Sequence, residues 1–292
     1  YAIREIKQKK LVRGHDGFPV YLDSPLAEEA TAVFLQCDPD FFDEPTRELL
    51  RQAGELVRVA IPAGKNADGY LPYYNADGVR IFVPIAAEID GRMVFIAPCD
   101  ATYSFGENTI TFTDTEAHWA KDSVQFAAMR EIFRGVSAAR FDPDGKMTRA
   151  MFVTVLYRLA GSPAVEGTSG FADVAADAWY ADAVTFAKQN GLVAGVSATK
   201  FAPDDNITRE QMAKILCRLA AMYDALDESA DAPEHAFSDR ANIADWAQGF
   251  CDRAYAAGLM QGTGSGRFAP KAKLTREQAI CALWRLTQMQ AG

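Results

Sequence analysis

Most of the chain beyond residue 110 is one motif repeated three times. Trp119, Trp179 and Trp246 stand 60 and then 67 residues apart, and the same offsets carry Gly135 to Gly195 and Gly262. They also carry Phe141-x-Pro143 to Phe201-x-Pro203 and Phe268-x-Pro270, and Thr148-Arg149 to Thr208-Arg209 and Thr275-Arg276. Leu-x-Arg-Leu closes each copy, at Leu156, Leu216 and Leu283. A Phe-x-Asp triplet opens each copy, with small length changes: Phe112 to Asp114, Phe171 to Asp173 and Phe237 to Asp239. Such a register is not chance. It prescribes one supersecondary unit packed on its own copies, because a single unit cannot bury its apolar face.

Each copy reads as helix, loop, helix. The first helix starts near the tryptophan and gathers Val124, Ala127 and Ala128 on one side, as Ala183, Val184 and Ala187 do in the second copy. It ends at Gly191-Leu192 and Gly258-Leu259, where glycine supplies a left-handed C-cap. The first copy has Glu131 there, so its helix end is expected to be altered or strained. The loop runs to Phe-x-Pro, whose proline forbids an early helix start. Thr208-x-x-Gln211 and Thr275-x-x-Gln278 then read as capping boxes opening the second helix. The first copy keeps Thr148 but has Met151 at the reciprocal position, which predicts half a box. Phe152, Val155, Leu156 and Leu159 follow i, i+3, i+4, i+7 spacing, as do Met212, Ile215, Leu216 and Leu219, and predict buried stripes.

A net charge of −9 argues against nucleic acid as a partner, since that requires a dense basic surface. It leaves room for an anionic ligand wherever cations are locally concentrated. No stretch approaches the roughly 18–20 uninterrupted apolar residues that span a bilayer. The chain opens on Tyr1 without a signal-peptide pattern and reads as a processed or truncated piece whose upstream part is missing. The five cysteines form no C-x-x-C pair, which speaks against zinc. Cys217 and Cys281 read as buried thiols in apolar helical runs, and Cys37 and Cys99 as the two free to pair. His15, His118 and His235 lie far apart and form no ligand cluster in sequence. Asp142-x-Asp144-Gly145 and Asp204-Asp205-Asn206 lack the spacing of a calcium loop and read as turns. No nucleophile elbow, Walker loop or zincin helix is present. No cofactor, metal or enzymatic activity is expected of this chain.

The ordered set of Phe-x-Asp, Trp, Gly-Leu-x-x-Gly, Phe-x-Pro and Thr-Arg resembles the S-layer homology (SLH) domain. Phe112 to Gly161 is close to the family pattern, with His118-Trp119-Ala120 and Met147-Thr148-Arg149-Ala150. The resemblance implies repeats at 111–161, 170–220 and 237–288, and a pseudo-three-fold, all-α bundle built from one chain. It further implies a non-catalytic anchor, held non-covalently on a Gram-positive-type envelope by secondary cell-wall polysaccharide, often pyruvylated. The location would be extracellular, at the wall or S-layer of a bacterium. In the family the ligand lies in grooves lined by the early Asp, the Trp, the loop Gly and the Thr-Arg pair. Carried over, these are Asp114, Trp119, Gly135, Thr148 and Arg149 in the first copy. The second copy offers Asp173, Trp179, Gly195, Thr208 and Arg209, and the third Asp239, Trp246, Gly262, Thr275 and Arg276. The family often has Glu two residues after the Arg; here Met151, Gln211 and Gln278 stand there. Together with Glu131, this marks the first copy as the divergent one.

A pyruvate ketal carries a carboxylate, which suits a helix N-terminus and an arginine fork. Aspartate can accept sugar hydroxyl protons, and tryptophan can pack on a pyranose ring. Each residue also has a structural reading. The threonines are helix caps, the tryptophans can be core, and the arginines can be solvated first-turn residues. An arginine at a helix N-terminus nonetheless opposes the dipole, and its recurrence in all three copies favours an anionic partner. Arg158, Arg218 and Arg285 sit near helix C-termini, where the dipole welcomes them, and read as structural.

Residues 1–110 have a different texture and read as a small β-rich, sandwich-like spacer domain with one helix, making the chain α+β overall. Leu56 to Ile61 alternates like a half-buried strand, and Phe18 to Leu22 and Ala32 to Leu35 are further strands. Val79 to Val83 and Met93 to Ile96 flank Asp90-Gly91, a hairpin signal. Asp43 to Gly54 predicts the helix. Residues 221–236 form an acidic linker between the second and third copies. Two alternatives stand beside the anchor. The chain could be the tail of a surface glycan hydrolase or protease with its catalytic domain upstream. It could also be a structural S-layer or adhesin protein with lattice or self-association contacts through the N-terminal domain.

Overall fold

The structure is a computed structural model that describes residues 2–5, 10–13, 20–21, 32–36, 57–62, 70–76, 78–84, 86–89, 92–97, 102–222, 226–227 and 233–291. By its contacts the chain divides into two units, 1–110 with 129–131 and 291–292, and 111–128 with 132–290.

Among the described residues the first unit has ten strands: β1 Ala2–Glu5, β2 Lys10–Arg13, β3 Val20–Tyr21, β4 Ala32–Gln36 and β5 Val57–Pro62, then β6 Tyr70–Ala76, β7 Val79–Phe82, β8 Ala86–Ile89, β9 Arg92–Ala97 and β10 Thr102–Glu107. They form a six-stranded sheet in the order β2-β1-β4-β10-β6-β7 and a four-stranded sheet in the order β3-β5-β9-β8. Of the expected strands, Phe18 to Leu22 is met by Val20–Tyr21, Ala32 to Leu35 by Ala32–Gln36 and Leu56 to Ile61 by Val57–Pro62. The expected hairpin is corrected: β9 pairs with β8, not with Val79 to Phe82, and Ile89 lies opposite Arg92. β7 instead turns back on β6 through Gly78, whose φ of 79° a glycine adopts freely. By propensity 79–83 is the stronger strand and Ala86-Ala87-Glu88 a weak one; partnership is a tertiary choice. The candidate helix from Asp43 to Gly54, Cys37, Cys99 and His15 all lie outside the described residues.

Met129–Glu131 belong to this unit. Met129 packs with Leu71 and Phe82, and Arg130 donates from Nε and Nη2 to Ala86 O at 3.0 and 2.6 Å. Burial pushes the Arg130 pKa down to about 9. The first copy therefore carries Met-Arg-Glu where its sisters carry Gln-Asn-Gly and Ala-Ala-Gly. Its divergence has a cause in packing.

The second unit holds six α-helices among the described residues, two per repeat. They are α1 Lys121–Met129 and α2 Arg149–Leu159, α3 Ala181–Gln189 and α4 Arg209–Met222, then α5 Gln248–Ala256 and α6 Arg276–Ala291. The predicted stripes are core: Phe152, Val155, Leu156 and Leu159, with Met212, Ile215, Leu216 and Leu219, are all buried. So are Phe141, Phe201 and Phe268, each contributing about 2 kcal/mol by burial. Glu131, Gly191 and Gly258 all take the left-handed conformation, at φ of 56, 66 and 71°. Glu131 thus holds the strained conformation its position demands, at about 1–2 kcal/mol.

The repeats are tied in a closed order. Met147 N–H donates to Leu274 O, Leu274 N–H to Ile207 O, and Ile207 N–H to Met147 O, each at 3.0 Å. One residue pair further on, Thr148 bridges to Asn206, Thr208 to Lys273 and Thr275 to Lys146. Each second helix therefore begins against the loop of the following repeat, and the third begins against the first.

Candidate functional site

The Phe-x-Pro corner organises each repeat. Its middle residue, Asp142, Ala202 or Ala269, sits at φ of 59, 59 or 57°, a conformation disfavoured for side chains other than glycine. The aspartate of Phe-x-Asp holds this corner. Asp114 accepts Phe141 N–H and Asp142 N–H, Asp173 accepts those of Phe201 and Ala202, and Asp239 those of Phe268 and Ala269, every bond at 2.8 Å. Burial pushes these carboxyls up, but the backbone donors outweigh it and hold all three below the ordinary carboxylate value. Both oxygens of each aspartate thus serve a buckle.

The helix N-termini, expected to suit a ketal carboxylate, have their first N–H groups engaged within the protein. Arg149 N–H donates to Asp205 O and Ala150 N–H to Pro203 O; Arg209, Glu210, Arg276 and Glu277 repeat the pattern on Ala272, Pro270, Gly145 and Pro143. The next N–H in each helix is taken by the capping hydroxyl of Thr148, Thr208 or Thr275. The first box is complete: Met151 Sδ accepts Thr148 N–H at 3.5 Å, a weak thioether substitute for the glutamine oxygen. A thioether was not foreseen as an acceptor.

The three arginines are buried, at 5–6% exposure, and each reaches into the following repeat. Arg149 donates from Nε to Phe201 O and from Nη2 to Ala194 O. Arg209 does so to Phe268 O and Gln261 O, and Arg276 to Phe141 O and Arg134 O. Each guanidinium also lies over the phenylalanine whose carbonyl it grips, at 4.4 to 5.2 Å. Carbonyl dipoles of the neighbouring loop thus offset the unfavourable helix end, a partner the single-copy reading did not supply.

The tryptophans go the other way. Trp119, Trp179 and Trp246 are 69, 66 and 47% exposed, far from the core reading. Gly135 and Gly195 have a local cause as well: an added Cβ would come within 2.4 Å of Ser137 O or Ser197 O.

Two grooves collect these parts from all three repeats. The first, about 260 Å³, is lined by Arg149, the loop Leu192 to Val196, Gln211, Lys214 and Trp246. Lys214 Nζ lies 5.3 Å from the Trp246 ring centre. The second, about 170 Å³, is lined by Arg276, the loop Phe133 to Val136, Met151, Thr154, Arg158 and Trp179. Residues assigned to one copy in sequence are thereby separated: Arg149 meets Gly195 and Trp246, not Gly135 and Trp119. Lys214 escaped the sequence reading because its equivalents, Thr154 and Cys281, are uncharged. Arg218 and Arg285 bond Gly191 O and Leu259 O at the ends of α3 and α5, the structural role expected of them. Cys217, Cys251 and Cys281 are buried thiols, and Cys217 Sγ donates to Phe250 O at 3.6 Å. His118, distant from other ligands in sequence, is brought beside Asp144 and Glu277.

The S-layer homology domain family matches residues 111–151, 170–213 and 236–280. Residues 111–280 thus carry three SLH domains. SLH domains are non-catalytic modules that anchor proteins at the bacterial cell surface, and that surface, at the wall or S-layer, is where this protein resides. An amylopullulanase of Thermoanaerobacterium thermosulfurigenes is 31% identical over 68% of this chain, and the exoglucanase XynX of Acetivibrio thermocellus 31% over 62%. The surface-layer 125 kDa protein of Lysinibacillus sphaericus is 33% identical over 54%. The chain spans 10, 17 and 13% of these relatives. No helix among the described residues is long and apolar enough to cross a membrane.

Proposed function

We propose that the three SLH domains form a pseudo-three-fold body that binds an anionic, pyruvylated secondary cell-wall polysaccharide in grooves between repeats. The observation that carries this reading is the pair of grooves, each joining an arginine, a loop with a second helix, and an exposed tryptophan from three different repeats. An exposed indole offers a sugar-stacking face, and the arginine beneath supplies positive potential. The Lys214 groove is the stronger site, because it adds an ammonium and the Gln211 amide where the other has Thr154 and Met151. By the same cyclic order the third set is Arg209, Gly262 and Trp119, with Cys281 in the place of Lys214. The aspartates and threonines support the grooves from behind. The residues before 111 act as a β-sandwich spacer, and 223–235 as a linker, shorter than the expected 221–236 because α4 runs on to Met222.

The test is binding to purified cell walls before and after extraction of their secondary polymer. Binding should fall to background on extracted walls; equal binding to both would sink the reading. Two of the relatives above are glycan hydrolases by name, which favours a second, compatible role as the anchoring part of a longer surface enzyme. Intact-mass measurement of the natural product checks that.

A further inference from the structure

The residue after each buried arginine meets the residue after the proline of the next repeat, and the three junctions balance charge differently. Ala150, Glu210 and Glu277 take the first place; Asp204, Lys271 and Asp144 take the second. Between the second and third repeats, Lys271 Nζ stands 2.6 Å from Glu210 Oε1, and Glu210 Oε2 accepts Ala244 N–H. That carboxylate is fully satisfied.

Between the third and first repeats the lysine is replaced by Asp144. Glu277 is 8% exposed, and its Oε1 accepts the Thr275 hydroxyl. Its Oε2 is sealed from solvent and has no hydrogen-bond partner. His118 Nε2 lies 3.1 Å from that oxygen, within ion-pair reach but without hydrogen-bond geometry. His118, Asp144 and Glu277 each offer one ligand atom, all within 4.8 Å of one another. Two carboxylates and an imidazole thus converge where the sister junction holds an ammonium.

We propose that His118, Asp144 and Glu277 form a binding site for a divalent cation of the zinc class, which clamps the third repeat to the first. One imidazole nitrogen and two carboxylate oxygens suit such an ion better than calcium or magnesium, which take oxygen alone. Bonds of about 2.0–2.1 Å in a tetrahedron set ligands about 3.3 Å apart, and the His118–Glu277 pair is already at 3.1 Å. Asp144, exposed at the mouth, closes last and leaves a fourth position to water. His118 Nδ1 accepts Ala120 N–H at 3.2 Å, which turns Nε2 toward Glu277. Loading the ion through Nε2 moves the ring proton to Nδ1 and gives up that long contact for a metal bond.

The test is calorimetric titration of zinc chloride into the chelator-stripped chain, with cobalt absorption as a second readout. One ion per chain should bind, with a rise in Tm. Glu277→Gln and His118→Gln should each weaken binding by more than about tenfold and abolish that rise, while Lys271→Ala binds as the unaltered chain does. Far-UV circular dichroism of the zinc-free variants checks folding; Asp144→Asn, at an exposed position, serves if either fails. No binding at millimolar zinc, or binding that survives the substitutions, overturns the site.

Discussion

The first and second repeats follow the same backbone path with different chemistry. At the end of the first helix, Glu131 occupies the left-handed position that Gly191 takes without strain. At the second helix, a thioether from Met151 closes the box that Gln211 closes with an amide oxygen. In the grooves, Thr154 stands where Lys214 does. What does not vary is the buckle of Asp114 or Asp173, and the arginine reaching in from the preceding repeat. The lesson is that the path is held by charge-assisted bonds to backbone, each worth about 1.5–3 kcal/mol. The groove faces carry no such duty and are free to diverge.

If that is correct, Asp114→Ala and Asp173→Ala should cost alike, about 3 kcal/mol or more, by stranding two N–H groups at a strained corner. Urea denaturation measures this; a cost confined to one repeat would break the shared-scaffold claim. Next in size is Arg209→Ala, with a loss of about 3 kcal/mol because two carbonyls of the third repeat lose their donor. This replaces the milder expectation for a solvated arginine, and a stable variant with weakened polymer binding would restore it. Acid should act on all three buckles together. Their carboxyls are depressed in the fold, so their contribution is whole above the ordinary value of 3.8 and is lost as pH falls through the lower native values. Calorimetry should find Tm nearly flat from neutrality to the ordinary carboxylate range and falling steeply below it.

The smaller effects sharpen the difference between repeats. Lys214→Thr should weaken wall binding about tenfold, the equivalent of ~1.4 kcal/mol. Thr154→Lys should strengthen the other groove, and sedimentation with purified walls compares the two. A null result in both would remove lysine from the ligand site. Smallest is Glu131→Gly, which relieves left-handed strain and should stabilise by about 1 kcal/mol in thermal unfolding. The same change at Gly191 in reverse, Gly191→Glu, should cost as much.

Much of this was legible because repetition is a property of sequence alone. The buried stripes of α2 and α4, the caps at Thr148 and Thr208, and the odd helix end at Glu131 follow from local spacing and backbone preference. The hairpin in the first unit differs from the expectation because Ala86-Ala87-Glu88 is weak in strand propensity beside Val79-Arg80-Ile81-Phe82, and only the sheet selects it as the partner of β9. The exposure of the tryptophans is not legible in their spacing, because a large indole favours burial unless something outside its own repeat needs it.

The sequence by itself determined that there are three helical units, where each helix begins, and which family they belong to. Tertiary structure alone decided which copy's residues share a groove, that Arg149 serves the second repeat, and that His118 faces Glu277. The physical reason is that an offset of 60 or 67 residues equates positions without saying which copies touch. A long arginine at a helix N-terminus bonds the carbonyls that packing brings near, and these belong to the next repeat.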